Sequence, residues 1–188
     1  DWSSDVCSSD LVLDALGIVR CEKAGYEADD LLGTISRRAD EHGDTCVVVT
    51  GDRDSLQLVG GGTTVMLVST RMGQTTYQTY DTAAFREKYG FDPIRLIDLK
   101  ALMGDSSDNI PGVPGIGEKT AMQLLHDFGT LEGVYANIDD ERIKKGARTK
   151  LQNGEQSARD SYWLATIDRS VPLDLDVEHL PAQDIDET

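Results

Sequence analysis

The stretch T-C-V-V-V-T-G-D-R-D, residues 45–54, decides the fold. Val47, Val48 and Val49 form an apolar run without alternation, which reads as a strand covered on both faces. Gly51 then turns the chain, and two acids follow at once, Asp52 and Asp54. Carboxyl ends of strands are where α/β sheets place their sites. Upstream, residues 27–41 carry Leu31, Leu32 and Ile35 at helical spacings, and Gly43 closes the helix. Downstream, residues 54–58 begin a short helix, and T-V-M-L-V-S at 64–69 reads as a second buried strand. Turns are marked by Gly60, Gly61 and Gly62 before it and by Met72 and Gly73 after it. Asp81 caps a helix that runs to Tyr89 with Phe85 inward, and Pro93 opens another that ends near Met103. This alternation predicts an α/β fold with a parallel or mostly parallel sheet and helices on its faces.

Beyond residue 93 the pattern is almost wholly helical, with helices at 117–128, after a Thr130 cap, at 142–151 and at 155–167. Two weaker strands are expected, I-V-R-C at 18–21 and V-P-L-D-L-D-V at 171–177, the latter at a sheet edge. Residues 1–10 fit nothing around them and read as the translation of a sequencing adapter, so they are set aside. Residues 176–188 read as an acidic tail or linker.

Seven carboxylates fall in three short clusters at element ends. They are Glu27, Asp29 and Asp30 in G-Y-E-A-D-D, Asp52 and Asp54 in T-G-D-R-D, and Asp105 and Asp108 in M-G-D-S-S-D-N. Each cluster alone has an ordinary explanation, as a helix cap, a turn or an Asx turn. Three such clusters in one small domain point instead to convergence. Converging carboxylates repel, and hard divalent cations with oxygen ligands relieve that repulsion, which favours Mg²⁺ or Mn²⁺ over zinc. Directly after the third cluster comes I-P-G-V-P-G-I-G-E-K-T-A, residues 110–121, a helix–hairpin–helix signature. Its backbone N–H groups and the helix start behind it suit a phosphate, with Lys119 and Thr120 adding contacts. An acid-lined metal site beside a phosphate-gripping turn predicts phosphodiester hydrolysis. Nothing supports nucleophilic catalysis, because His42, His126 and His179 are scattered.

The chain has 188 residues, 39% hydrophobic and 28% charged, enough for one sizeable core or a core with a helical subdomain. No apolar run is long enough to span a membrane and no signal peptide is visible. Of three cysteines, Cys7 lies in the segment set aside; Cys46 reads as a core thiol and, with Cys21, suggests a reducing, cytoplasmic setting. The net charge of −16, from 18 basic and 34 acidic residues, runs against the basic surface expected of a nucleic-acid binder. DNA would have to be held through a local patch, such as Lys144, Lys145, Arg148 and Lys150, beside a metal-screened centre.

With G-Y-E-A-D-D, V-V-V-T-G-D-R-D and residues 98–121 in this order, the chain resembles the 5′-nuclease domain of bacterial DNA polymerase I. The same pattern occurs in stand-alone 5′–3′ exonucleases and flap endonucleases, and it covers about residues 11–175. The resemblance implies a PIN-like α/β core at 11–92, with its N-terminal part outside this sequence, and a helix-hairpin-helix DNA-binding region at 93–175. It implies a two-metal site holding Glu27, Asp29, Asp30, Asp52, Asp54, Asp105 and Asp108, with Asp29, Asp30 and Asp52 as the catalytic acids. It also implies a potassium ion on the main chain of Leu102, Met103, Pro111, Val113 and Ile116. DNA contacts would come from Gly115, Ile116, Gly117, Glu118, Lys119 and Thr120. The expected partners are branched or flap DNA and RNA-primed DNA, and the protein is expected to be monomeric and located at the bacterial nucleoid. The family's first metal-binding aspartate and cationic arch are not in this sequence, so this stretch alone is expected not to cut. A non-catalytic junction-binding module and a stand-alone exonuclease are the alternatives.

Overall fold

The apolar run does form a strand, β1 (Cys46–Thr50), but only its middle residue faces a core. Val48 is 3% exposed, whereas Val47 and Val49 are 57% and 58% exposed. Among the residues that this computed structural model describes, 8–175, the strand is therefore covered on one face, not two. β1 pairs in parallel with β2 (Thr63–Arg71), Val48 lying opposite Val65. β2 then turns at Met72 and Gly73 into β3 (Gln74–Tyr80), which runs antiparallel to it. Both turn residues have positive φ, 50° and 79°, the geometry that closes a two-residue hairpin. The sheet, in the order β1-β2-β3, is mixed, which corrects the mostly parallel expectation. β3 carries no strand signature because Q-T-T-Y-Q-T-Y is polar and exposed up to Tyr80, its one buried residue. It exists because β2 offers it an edge and a tight turn returns the chain there.

The helices follow their start and stop signals closely. α1 (Ser8–Ala15) begins inside the segment set aside from the sequence; residues 1–7, and the acidic tail at 176–188, lie outside the described residues. No strand forms at 18–21. α2 (Ala28–His42) ends at Gly43, whose φ of 82° is the left-handed closure that glycine supplies. α3 (Thr82–Tyr89) is capped by Asp81, which accepts from the Ala84 N–H at 2.7 Å, and it buries Phe85 completely. A single 3-10 turn at Pro93–Arg95 leads into α4 (Leu96–Met103), a helix apolar nearly all round and buried accordingly. α5 (Glu118–Phe128), α6 (Leu131–Ala136), α7 (Lys145–Asn153) and α8 (Glu155–Ala165) are the remaining helices among the described residues.

The two larger of four apolar clusters among the described residues organise most of these elements. Val48, Leu56, Val65, Tyr80 and Phe85 pack between the sheet and its helices. Leu99, Leu102, Val113, Leu125 and Leu151 pack among α4, α5 and α7. Phe91 packs against both clusters. The segment after α8 makes no strand in its described part. Its backbone is satisfied by side chains instead. Ile167 N–H donates to Gln57 Oε1, Val171 N–H donates to Thr34 Oγ1, and Arg38 donates to the carbonyls of Leu173 and Leu175. Hydrogen bonds placed there remove the need for a ladder partner.

Candidate active site

The three acid clusters reach one cleft by three different routes. Glu27 is the N-cap of α2, and its N–H donates to Asp30 Oδ2 at 3.1 Å, so these two acids close the helix start as well as facing the cleft. The other oxygen of Asp30 accepts from the Asp168 N–H at 2.9 Å, tying the C-terminal segment to the same place. Asp29 accepts a longer bond from Ser55 Oγ. At the end of β1, Asp52 Oδ1 accepts from the Asp54 N–H at 2.9 Å and bends the chain into the 3-10 turn. Asp105 and Asp108 sit on a loop pinched shut by paired backbone bonds between Asp105 and Ile110, both 2.8 Å. Glu27, Asp29, Asp30, Asp52, Asp54 and Asp108 line one cavity of about 300 Å³, walled on its far side by Leu164 to Ile167.

Asp105 joins this group through a residue absent from the sequence reading. The Lys100 ammonium, on buried α4, bonds Asp54, Asp105 (2.8 Å) and Asp108 (3.2 Å) together. Oxygens of these three acids lie within 4.8 Å of one another. The only available signal was one lysine in the otherwise apolar tract L-I-D-L-K-A-L-M, since a cation buried there needs anionic partners.

The electrostatics follow from crowding. Burial pushes the Asp54 carboxyl up to about 6; the bonds from Lys100 oppose that rise, and the charges of Asp52 and Asp108 add to it. Burial, then the nearby charge of Asp52, raises Asp29. At Asp105 burial is outweighed by bonds from Lys100 and Ser107, which hold the carboxyl down to about 2. Burial disfavours the Lys100 cation, but its bonds to Asp105 and Asp54 prevail and hold it above the ordinary lysine value. Hard oxygen donors crowded together, with Asp29 and Asp54 resisting ionisation, fit a divalent cation.

A sign follows for the metal-free protein. A folded-state value of about 6 for Asp54 lies above the ordinary 3.9 or so, so its contribution to stability is present at low pH. It is lost as pH rises through about 6. The melting temperature of the native chain should therefore fall relative to Asp54→Asn between about pH 4 and 6.5, measured in chelator. Parallel curves for the two proteins would show that Asp54 does not hold a proton in that window.

The second feature is a groove of about 530 Å³ between the start of α5 and α7. Gly115, Ile116, Lys119 and Thr120 line one side, and Lys144, Gly146 and Lys150 line the other. The N–H groups of Glu118 and Lys119 open α5 without an acceptor in the helix, whereas those of Thr120 and Ala121 both donate to the Gly117 carbonyl at 3.0 Å. Gly117, its N-cap, has an ordinary φ of −98°, and a Cβ added there meets nothing within 4 Å. The basic patch read from the sequence is divided by the fold. Lys144 and Lys150 reach the groove, whereas Arg148 turns inward to the carbonyls of Asp139, Asp140 and Ile143. Of the main-chain positions expected to hold potassium, the Leu102 carbonyl accepts from the Val113 N–H and the Val113 carbonyl from the Ile116 N–H, each at 2.9 Å. Each carbonyl keeps a second lone pair. Cys46 is half-buried rather than in the core.

Comparison with known proteins bears on all of this. The family described as 5′-3′ exonuclease, N-terminal resolvase-like domain, matches residues 4–90. The family described as 5′-3′ exonuclease, C-terminal SAM fold, matches residues 91–188. DNA polymerase I of Bacillus caldotenax is 45% identical over 172 residues, which is 92% of this chain and 19% of that protein. DNA polymerase I of Bacillus subtilis (strain 168) is 44% identical over 172 residues, again 92% and 19%. The chain thus spans about a fifth of the length of these curated relatives. Among solved structures, a lysine-to-alanine mutant of the T5 5′-exonuclease shares 25% identity at a TM-score of 0.68, covering 86% of this chain and 62% of that one. The T5 5′-exonuclease with bound divalent metal ions (zinc) has the same fold, at 24% identity and a TM-score of 0.69, covering 85% of this chain and 57% of that one.

Proposed function

This chain belongs to the 5′-3′ exonuclease family, and we propose that it is the nuclease region of a DNA polymerase I-type protein. In this reading it hydrolyses phosphodiesters of 5′ flaps and of RNA-primed DNA during replication and repair, in the cytoplasm at the nucleoid, and acts as a monomer. The observation that carries it is the cleft where acids from three separate parts of the chain meet. Two divalent ions, Mg²⁺ or Mn²⁺, would supply activation of the attacking water and charge for the leaving oxygen. Glu27, Asp29, Asp30 and Asp52 hold the inner half of the site, with Asp29, Asp30 and Asp52 nearest the chemistry. Asp54, Asp105 and Asp108 hold the outer half, directly or through water. Residues 11–92 form the catalytic part and 93–175 the part that grips the duplex.

The groove beside α5 supports the DNA assignment. Gly115, Ile116, Gly117, Glu118, Lys119 and Thr120 would contact the DNA backbone, the N–H groups of Gly115, Gly117, Glu118 and Lys119 taking a phosphate while those of Ile116 and Thr120 stay bonded to the Val113 and Gly117 carbonyls, with Lys144 and Lys150 facing the same strand. A potassium ion on the carbonyls of Leu102, Met103, Pro111, Val113 and Ile116 would add a positive charge under that phosphate. Such a grip reads no sequence, and it lets an acidic protein hold DNA at one place.

The test is binding to a labelled 5′-flap duplex over a salt series. Gly117→Val leaves the fold intact, because its side chain enters open space, yet it blocks close approach of a phosphate. It should weaken binding at least about tenfold, alike for all sequences. Lys119→Ala should lower the salt slope by about one. Equal affinity of Gly117→Val and native protein would sink the groove assignment. Cleavage is read on the longest natural form of the protein, where Asp30→Asn should abolish Mg²⁺-dependent cutting near the single-strand to double-strand junction. Binding without cutting by that form would favour a junction-binding module.

A further inference from the structure

The acid site has two unlike halves. Glu27, Asp29, Asp30 and Asp52 interact with backbone N–H groups and with Ser55, and among the described residues no lysine or arginine pairs with them. Asp54, Asp105 and Asp108 instead surround one ammonium, Lys100 Nζ, whose side chain is only 7% exposed. Their oxygens lie within 4.8 Å of one another, which leaves room for one cation in their midst. The Lys100 stem is held in α4 between Leu99 and Ala101, both buried, so the ammonium is delivered to this point by a rigid element. An ammonium and a divalent ion compete for the same oxygens. A carboxylate triad without either would repel itself in a poorly solvated place.

We propose that Lys100 is a displaceable internal counter-ion: it holds Asp54, Asp105 and Asp108 together while no divalent ion is present, and it must be pushed aside for one to bind there. The proposal rests on the two-ion reading above. Its consequence is ordered loading. The half built on Glu27, Asp29, Asp30 and Asp52 fills at low ion concentration. The half guarded by Lys100 fills only at higher concentration, so one residue on α4 sets the ion level at which the second position is occupied.

Calorimetric titration with Mn²⁺ on the native chain and on Lys100→Met tests this. Methionine keeps an unbranched, buried stem and removes the charge. The native protein should show a tight and a weak class of site. In Lys100→Met the weak class should tighten by about tenfold or more, while the tight class moves less than about threefold. Unchanged or weakened affinity of the second class in Lys100→Met overturns the role given to Lys100 and leaves the two-ion reading standing. No Mn²⁺ binding by either protein overturns both. If Lys100→Met does not fold, amine acetylation of the native chain read by mass spectrometry decides. Lys100 should become several-fold more reactive on adding Mn²⁺, and an unchanged reactivity overturns the proposal.

Discussion

Asp29→Asn combined with Asp52→Asn should abolish most of the thermal stabilisation that Mn²⁺ gives this chain. An ion at one hundred times its dissociation constant, bound by the folded state alone, stabilises by about 2.7 kcal/mol. For a chain of this size that corresponds to roughly 5–10 °C in melting temperature. The double variant should lose that shift while its metal-free form melts no lower than native. Asp29 is raised by burial and by the nearby Asp52 charge, so neutralising both relieves an existing strain. A melting scan with and without Mn²⁺ reads both effects. An equal shift in native and double variant would show that the ion, if bound, sits elsewhere.

Gly112→Ala should be strongly destabilising. Gly112 has φ +60°, and a Cβ there would lie 2.2 Å from the Gly104 nitrogen and 2.6 Å from the Met103 carbonyl carbon, both backbone atoms that cannot swing away. The same residue is clamped by Ser161, which accepts from its N–H at 2.9 Å, and by Ser157, which donates to its carbonyl at 2.6 Å. Left-handed strain and forced backbone movement together should cost roughly 3–5 kcal/mol. The melting temperature should drop by roughly 6–20 °C. Because this contact also braces the loop carrying Asp105 and Asp108, the Mn²⁺ response should weaken with it. Gly117→Ala is the control, since its added Cβ meets nothing and its φ is ordinary. Comparable losses in the two variants would mean that close packing at Gly112 is not what makes it irreplaceable.

The local sequence determined a good deal here, for reasons that are themselves local. Caps and stops such as Asp81, Gly43, Pro93 and Thr130 act within a few residues, so the helices they bound were legible. The acids were legible as candidates because their clusters recur at element ends, and the glycine-rich turn because its spacing before a helix is specific. What only the tertiary structure decided depends on distant partners. β3 owes its existence to the edge of β2, not to its polar sequence, and that pairing makes the sheet mixed. Val47 and Val49 look as buried as Val48 until the packing shows which face is covered. The segment at 171–175 alternates like a strand, yet its hydrogen bonds go to Thr34 and Arg38 on α2. Arg148 and Lys150, two residues apart on one helix, part company because one points at carbonyls of the preceding loop and the other at the groove. Lys100 is the sharpest case. A lysine inside an apolar helix announces that it needs counter-charges, but only the fold places Asp54, forty-six positions upstream in the chain, and Asp105 and Asp108 around it.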